Sequence, residues 1–234
     1  MKGTLINVAT VMSGTAVGTL LGNRLPDGIR ATVMNALGLA TVLIGIKTAL
    51  NSSNTLIILG SLVIGGIVGE CLGIDSALAR LGEKVEARLA AKGRDGSQSD
   101  GRFARGFVTA SLLFCVGPMA IMGSIQDGLT GDFSTLAVKA TLDGFAALAF
   151  SSSLGPGVGV SALSVLIYQG AISMGAGFLQ GVLTEQMVAD LTATGGLLIV
   201  AIGLALLEIK KVRVANLLPA VFIAPLLHCV VGLF

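Results

Sequence analysis

The stretch Thr55-Leu56-Ile57-Ile58-Leu59-Gly60-Ser61-Leu62-Val63-Ile64-Gly65-Gly66-Ile67-Val68-Gly69-Glu70-Cys71-Leu72-Gly73-Ile74 decides the fold class. Its one carboxylate, Glu70, sits near the end of an otherwise apolar run. A bilayer core about 30 Å thick is crossed by roughly 20 apolar residues in a helix. The same texture recurs along the chain. Eight spans are predicted, at 4–22, 29–50, 55–74, 106–124, 133–152, 158–181, 187–208 and 214–233. The chain therefore reads as an all-α integral membrane protein in a single multi-pass domain, 1–234.

Composition agrees. The 234 residues are 53% hydrophobic and 12% charged, with a mean hydropathy of +0.90. That profile belongs to membranes rather than to water. The 33 glycines suit closely packed helices. A net charge of +2, no Trp and a single Tyr leave no signature of nucleic-acid binding. His228 is the only histidine, so no Cys/His metal spacing exists. Cys71, Cys115 and Cys229 lie in apolar sequence and read as small buried side chains. No hydrolase, protease or kinase pattern is present, so neither an enzyme nor a cofactor is expected.

The positions of the basic residues set the orientation. Arg24 and Arg30 fall in the first loop, and Lys210, Lys211 and Arg213 in the seventh. Arg80, Lys84, Arg88, Lys92, Arg94, Arg102 and Arg105 fall in the third, 75–105. Only Lys2, Lys47 and Lys139 lie elsewhere. Odd-numbered loops are therefore cytoplasmic, and both termini face outward. The opening Met1-Lys2-Gly3 runs straight into an apolar segment and reads as a retained first helix. Within 76–92, Leu78, Leu81, Val85 and Leu89 form one helical stripe, and Arg80, Lys84, Arg88 and Lys92 another. A helix lying on the cytoplasmic leaflet fits this pattern; so does a solvated loop helix.

An internal repeat underlies the spans. At an offset of 158, Ala31 matches Ala189, Gly38 matches Gly196, Val42 matches Val200, Gly45 matches Gly203 and Cys71 matches Cys229. The first three spans (4–74) and the last three (158–234) would then be inverted copies flanking a central pair, 106–152. Inverted repeats recur in secondary transporters, whose sites lie near the midplane.

The polar residues concentrate in that central pair. Ser124, Gln126, Asp127, Asp132, Lys139 and Asp143 fall in otherwise apolar sequence. Lys139 and Asp143 are four apart and share a helix face. Measured from Asp132, they lie about 10 and 16 Å into the span. Ionisable groups at such depth are expensive and mark function. Gln126, Asp127 and Asp132 are expected to form an outer vestibule near Lys139, suited to a cation or amine. Gln169, beside Tyr168, would line the cavity or bond a neighbouring helix. Asn7 and Asn35 read as interhelical hydrogen bonders, and Glu70 and His228 occupy equivalent places near span ends. Pro118 predicts a kink or a break in the fourth span. The Gly155-Pro156-Gly157 break leaves backbone N–H groups at the head of the sixth. Two glycine ladders, Gly14/Gly18/Gly22 and Gly65/Gly69/Gly73, predict close helix contacts.

The central segment also carries a resemblance. Cys115-x-Gly117-Pro118-Met119-Ala120-Ile121-x-Gly123-Ser124-Ile125-Gln126-Asp127-Gly128, then Gly131-Asp132, Lys139 and Leu142-Asp143-Gly144, resembles the YdfK/YqgA-like bacterial family, domain of unknown function 554. Gly3-Thr4-Leu5-Ile6-Asn7, Ser161-Ala162 and Gln169-Gly170 fit as well. The resemblance implies a multi-pass protein of the bacterial cytoplasmic (inner) membrane and says nothing of substrate. The residues themselves point to transport of a small solute or ion, with proton coupling as one form of it. A non-transporting scaffold or regulator, with Lys139–Asp143 as a clamp, is the alternative, and a passive channel the third. The lipid bilayer is the expected partner, and glycine-lined faces leave room for a homodimer.

Overall fold

A computed structural model describes residues 1–22, 26–50, 52, 54–77, 80, 102–210 and 212–231. Most of the amphipathic segment 76–92, like Arg24 and Lys211, lies outside the described residues. The elements are α1 (Lys2–Gly22), α2 (Asp27–Ala49), α3 (Thr55–Leu72), α4 (Arg102–Cys115), α5 (Pro118–Leu129) and α6 (Ser134–Leu154). They continue with α7 (Gly157–Met174), α8 (Ala176–Val182), α9 (Glu185–Leu206), a 3-10 turn (Val214–Leu217) and α10 (Leu218–Val231). No strand occurs among the described residues. Lys2–Gly22, Ala31–Ala49, Thr55–Leu72, Gly157–Met174 and Glu185–Leu206 are long and apolar enough to cross a membrane. The pair α4–α5 passes the same test as one broken span. With Lys139, Asp143 and three successive serines, α6 matches them in length (21 residues) but is more polar.

Helix α1 is inside out relative to one in a soluble protein. On α1, Gly3, Thr4, Asn7, Val11, Thr15, Gly18 and Gly22 face inward at helical spacing. Leu5, Met12, Val17 and Leu20 point outward. On α1 small and polar residues thus mediate contact while large apolar ones face outward, whereas Phe114, Leu136 and Leu198 of other helices fill an apolar core. Leu56 is 79% exposed and Met174 80%. Such an outer surface is unfavourable in water and suits hydrocarbon.

Glycine sets the helix contacts. A Cβ on Gly14 would lie 2.2 Å from the Gly144 carbonyl oxygen of α6, and one on Gly22 would lie 2.1 Å from that of Ser152. These contacts advance together along both chains, so α1 and α6 run parallel, backbone against backbone. In contrast, α2 packs antiparallel on α9: Gly38 abuts Leu207 and Gly203, and Gly45 abuts Val200 and Gly196. Similarly, Gly65 and Gly69 of α3 sit on Ala220 and Asn216. Gly73 departs from the expected ladder. With φ +61° it caps α3 in the left-handed conformation instead of packing.

Three predicted spans are interrupted. The fourth breaks before Pro118 and bends by 61°. Pro118 disfavours a helical conformation in the preceding residue, and Gly117 takes φ +146°, open only to glycine. The proline therefore opens α5 as its first helical residue instead of kinking a continuous rod. The sixth span breaks at Gly175 into α7 and α8, and the eighth begins as a 3-10 turn.

Candidate functional site

Buried polar side chains from four helices meet where α1, α5, α6 and α7 pack together. Lys139 and Asp143, one turn apart on α6, form an ion pair with side chains only 8% and 10% exposed. The Asp143 Oδ2 atom also accepts from Asn7 Nδ2 of α1 at 2.9 Å. The same Asn7 nitrogen lies 3.5 Å from Gln169 Oε1 of α7. Asn7 and Gln169 are fully buried, yet Asn7 Oδ1 and Gln169 Nε2 have no partner among the described residues. Each amide thus presents one unmet hydrogen-bonding arm, a costly state in a dry interior.

The column of polar groups extends one turn toward the α5–α6 connection. The Thr4 and Ser124 hydroxyls are buried and have no partner among the described residues, while Ser173 Oγ donates to the Ser124 carbonyl at 2.9 Å. Beyond them, Asp127 accepts from the Gly3 N–H at 3.0 Å. Its other oxygen lies 2.9 Å from the Met1 ammonium, an ion pair without hydrogen-bond alignment. On the opposite side of the junction Val11, Ala147 and Val165 are fully buried in the apolar core. The polar column is therefore closed at one end by hydrocarbon.

The expected vestibule is divided. Gln126 Nε2 donates to Asp132 at 2.8 Å, and Thr135 Oγ1 donates to Gln126 Oε1 at 3.1 Å. These groups lie at the surface turn. Asp132 is exposed, and the Ser134 N–H holds its carboxyl below the usual carboxylate range. Asp127 is 3% exposed and turned to α1. Successive residues point about 100° apart on a helix, so Gln126 and Asp127 cannot share one face. Neither joins Lys139, whose partner among the described residues is Asp143. Asn35 is exposed, off the α2 face formed by Gly38, Thr41 and Gly45. Tyr168 lines an apolar groove between α4, α7, α8 and α10. The head of α7 is a tight packed turn: a Cβ on Gly157 would meet the Phe103 carbonyl oxygen at 2.1 Å.

A second polar cluster escaped the sequence reading. Asp190 of α9, 3% exposed, accepts from Ser52 Oγ and lies 2.6 Å from His228 Nδ1 of α10. An aspartate inside a predicted span was the available signal. The Ser52 hydroxyl goes to the carboxylate and not to the imidazole, so this is not a nucleophile–base arrangement. Glu70, which the 158-residue offset pairs with His228 in sequence, binds Arg213 and Asn216 at 2.6 Å each. No group of three potential metal ligands occurs among the described residues.

The chain is similar to the uncharacterized membrane protein YdfK of Bacillus subtilis (strain 168), 29% identical over 238 residues covering 100% of this chain and 98% of the relative. It is also similar to the uncharacterized protein YqgA of Escherichia coli (strain K12), 34% identical over 226 residues, 95% of this chain and 94% of the relative. No solved structure matches. The model of the family described as "Protein of unknown function (DUF554)" covers residues 2–229, and so takes in Asn7, Lys139, Asp143, Gln169 and Asp190 alike. By that match, across nearly its whole length, the protein belongs to the DUF554 family.

Proposed function

We propose that this protein is a secondary transporter of a small solute or ion in the bacterial cytoplasmic membrane, with proton coupling through Asp143. One observation carries the reading: Asn7 and Gln169 frame the Lys139–Asp143 pair and leave one amide donor and one amide acceptor unmet. A small polar occupant, or the water that precedes it, would satisfy both. Protonating Asp143 would release Lys139 and Asn7 together, linking α6, α1 and α7 to a single proton.

The same proposal includes eight spans, both termini outside, and inverted three-helix repeats around the central pair. The glycine contacts support the repeats. Under the 158-residue offset Gly38 corresponds to Gly196 and Gly45 to Gly203, while in space Gly38 meets Gly203 and Gly45 meets Gly196. Contacts that exchange in this way are what a pseudo-two-fold axis produces. The YdfK relative being called a membrane protein supports the setting. Rocking one repeat against the other would expose the junction to each side in turn.

Purified protein would be screened in detergent for thermal stabilisation by pooled amino acids, polyamines, carboxylates and simple ions, since a ligand that binds the folded state stabilises it. Hits would be tested for flux in liposomes. Asp143→Asn is expected to remain folded and lose both responses. Equal flux in wild type, Asp143→Asn and Lys139→Ala would sink the reading.

A structural clamp is the second reading, favoured by the direct Lys139–Asp143 contact. It predicts misfolded single variants and recovery in the double apolar replacement.

A further inference from the structure

An apolar groove of about 620 Å³ opens between α4, α7, α8 and α10. Its walls include Val108 and Leu112 of α4, Tyr168 and Ala171 of α7, Leu179 of α8 and Phe222 of α10. Ser111 and Ser164 also line it, and their hydroxyls bond each other at 3.0 Å. Water needs several polar partners to occupy a buried site. With the hydroxyls paired, this wall favours hydrocarbon.

The α4 wall continues into charge. Val108, Leu112 and Cys115 form its groove-facing stripe at helical spacing. Arg102 and Arg105 lie in the first turn of α4, exposed and half-buried respectively. An apolar slot with two arginines at one end complements a ligand with a long hydrocarbon tail and an anionic head. Basic pockets between helices on the cytoplasmic side bind phospholipid head groups in this way, and the distribution of basic residues assigns the α4 start to that side.

We infer that the groove is a selective site for an anionic phospholipid, one acyl chain lying between α4, α7 and α10 with its phosphate on Arg102 and Arg105. The inference needs a membrane setting but does not depend on what the polar junction carries.

The chain supplies its own reporter. Tyr168 is the only tyrosine and there is no tryptophan, so intrinsic fluorescence excited in the tyrosine band comes from the groove wall. The tag-free protein would be reconstituted in vesicles containing phosphatidylglycerol or phosphatidylcholine with brominated acyl chains, which quench fluorescence on contact. Half-maximal quenching is expected at about 5-fold lower mole fraction of the glycerol lipid, the effect of roughly one surface arginine. The double variant Arg102→Gln/Arg105→Gln should erase that preference and leave quenching by the choline lipid unchanged. Filling the slot with Ala171→Phe should weaken quenching by both. Coincident curves for the two lipids in the wild type would reduce the groove to ordinary lipid contact and overturn the inference. No quenching by either, as when a second copy covers the groove, would overturn it equally. Should Ala171→Phe fail to fold, the arginine variant still decides.

Discussion

Gly18→Ala places a methyl group where α1 touches α6. The added Cβ would lie 2.2 Å from the Leu148 carbonyl oxygen and 2.1 Å from Ser151 Oγ. The serine can rotate away; the carbonyl is fixed in the α6 hydrogen-bond ladder. Relaxed non-bonded contact needs about 3.5 Å, so the helices must separate locally by about 1.3 Å. Gly14 and Gly22 make equally close contacts, and a shift of that size loosens the whole seam. Overpacking of this kind costs about 1–3 kcal/mol, and the upper half of that range is expected here because backbone opposes the methyl. Gly177 is the internal control. It occupies a helix, and a Cβ there meets nothing within 4 Å. Gly177→Ala should therefore stabilise by about 0.5–1 kcal/mol through helix propensity alone. Unfolding in mixed micelles of rising SDS content, followed by circular dichroism, measures both. The opposite signs are the test. If Gly18→Ala falls within about 0.5 kcal/mol of wild type, or matches Gly177→Ala, the close α1–α6 seam is wrong.

Other outcomes follow from the polar contacts. Asn7→Leu removes a partner from both Asp143 and Gln169 and should cost about 1–3 kcal/mol; adding Gln169→Leu should recover part of it, a coupling read by a double-mutant cycle in the same titration. Arg213→Gln should cost less than about 1 kcal/mol, since its pair with Glu70 is solvent-exposed. Asn216→Ala should cost more, about 1–3 kcal/mol, because Asn216 is buried and serves both Glu70 and the Asp75 N–H. Asp132 has a folded-state pKa below its unfolded one. Its contribution is present above the unfolded value and is lost as pH falls through the folded value. Thermal melts of Asp132→Asn and wild type should therefore converge at acid pH and separate above the unfolded carboxylate range; parallel curves would refute the Ser134 contact.

Much of this architecture was written in local spacing. Lys139 and Asp143 announced their pairing because four residues make one helical turn, and Gly14, Gly18 and Gly22 announced a seam for the same reason. What spacing does not encode is which helix stands opposite. Asp127 read as part of an outer vestibule with Gln126, yet it turns to the head of α1 and leaves Gln126 with Asp132. Asn35 read as a helix-to-helix bonder but misses the packed α2 face by roughly one residue's rotation. Helix breaks were legible as Pro and Gly, but their position depended on backbone dihedrals. Gly117, not Pro118, absorbs the turn. Asp190 was overlooked because Ser52 and His228 are distant in sequence, although a carboxylate inside a span was itself a warning.

The polarity of α6 also bears on how the chain is made. A helix carrying Lys139, Asp143 and three serines partitions poorly into lipid on its own, since each central charge opposes insertion by about 2.5–3.5 kcal/mol. Its natural solvent is α1, which offers Asn7 to Asp143 and a glycine groove to the rest of the helix. Because α1 precedes α6 in the chain, its polar stripe stays uncovered until α6 has been made. Membrane insertion of α6 should thus be a property of two helices, efficient in the full chain and poor for the isolated segment.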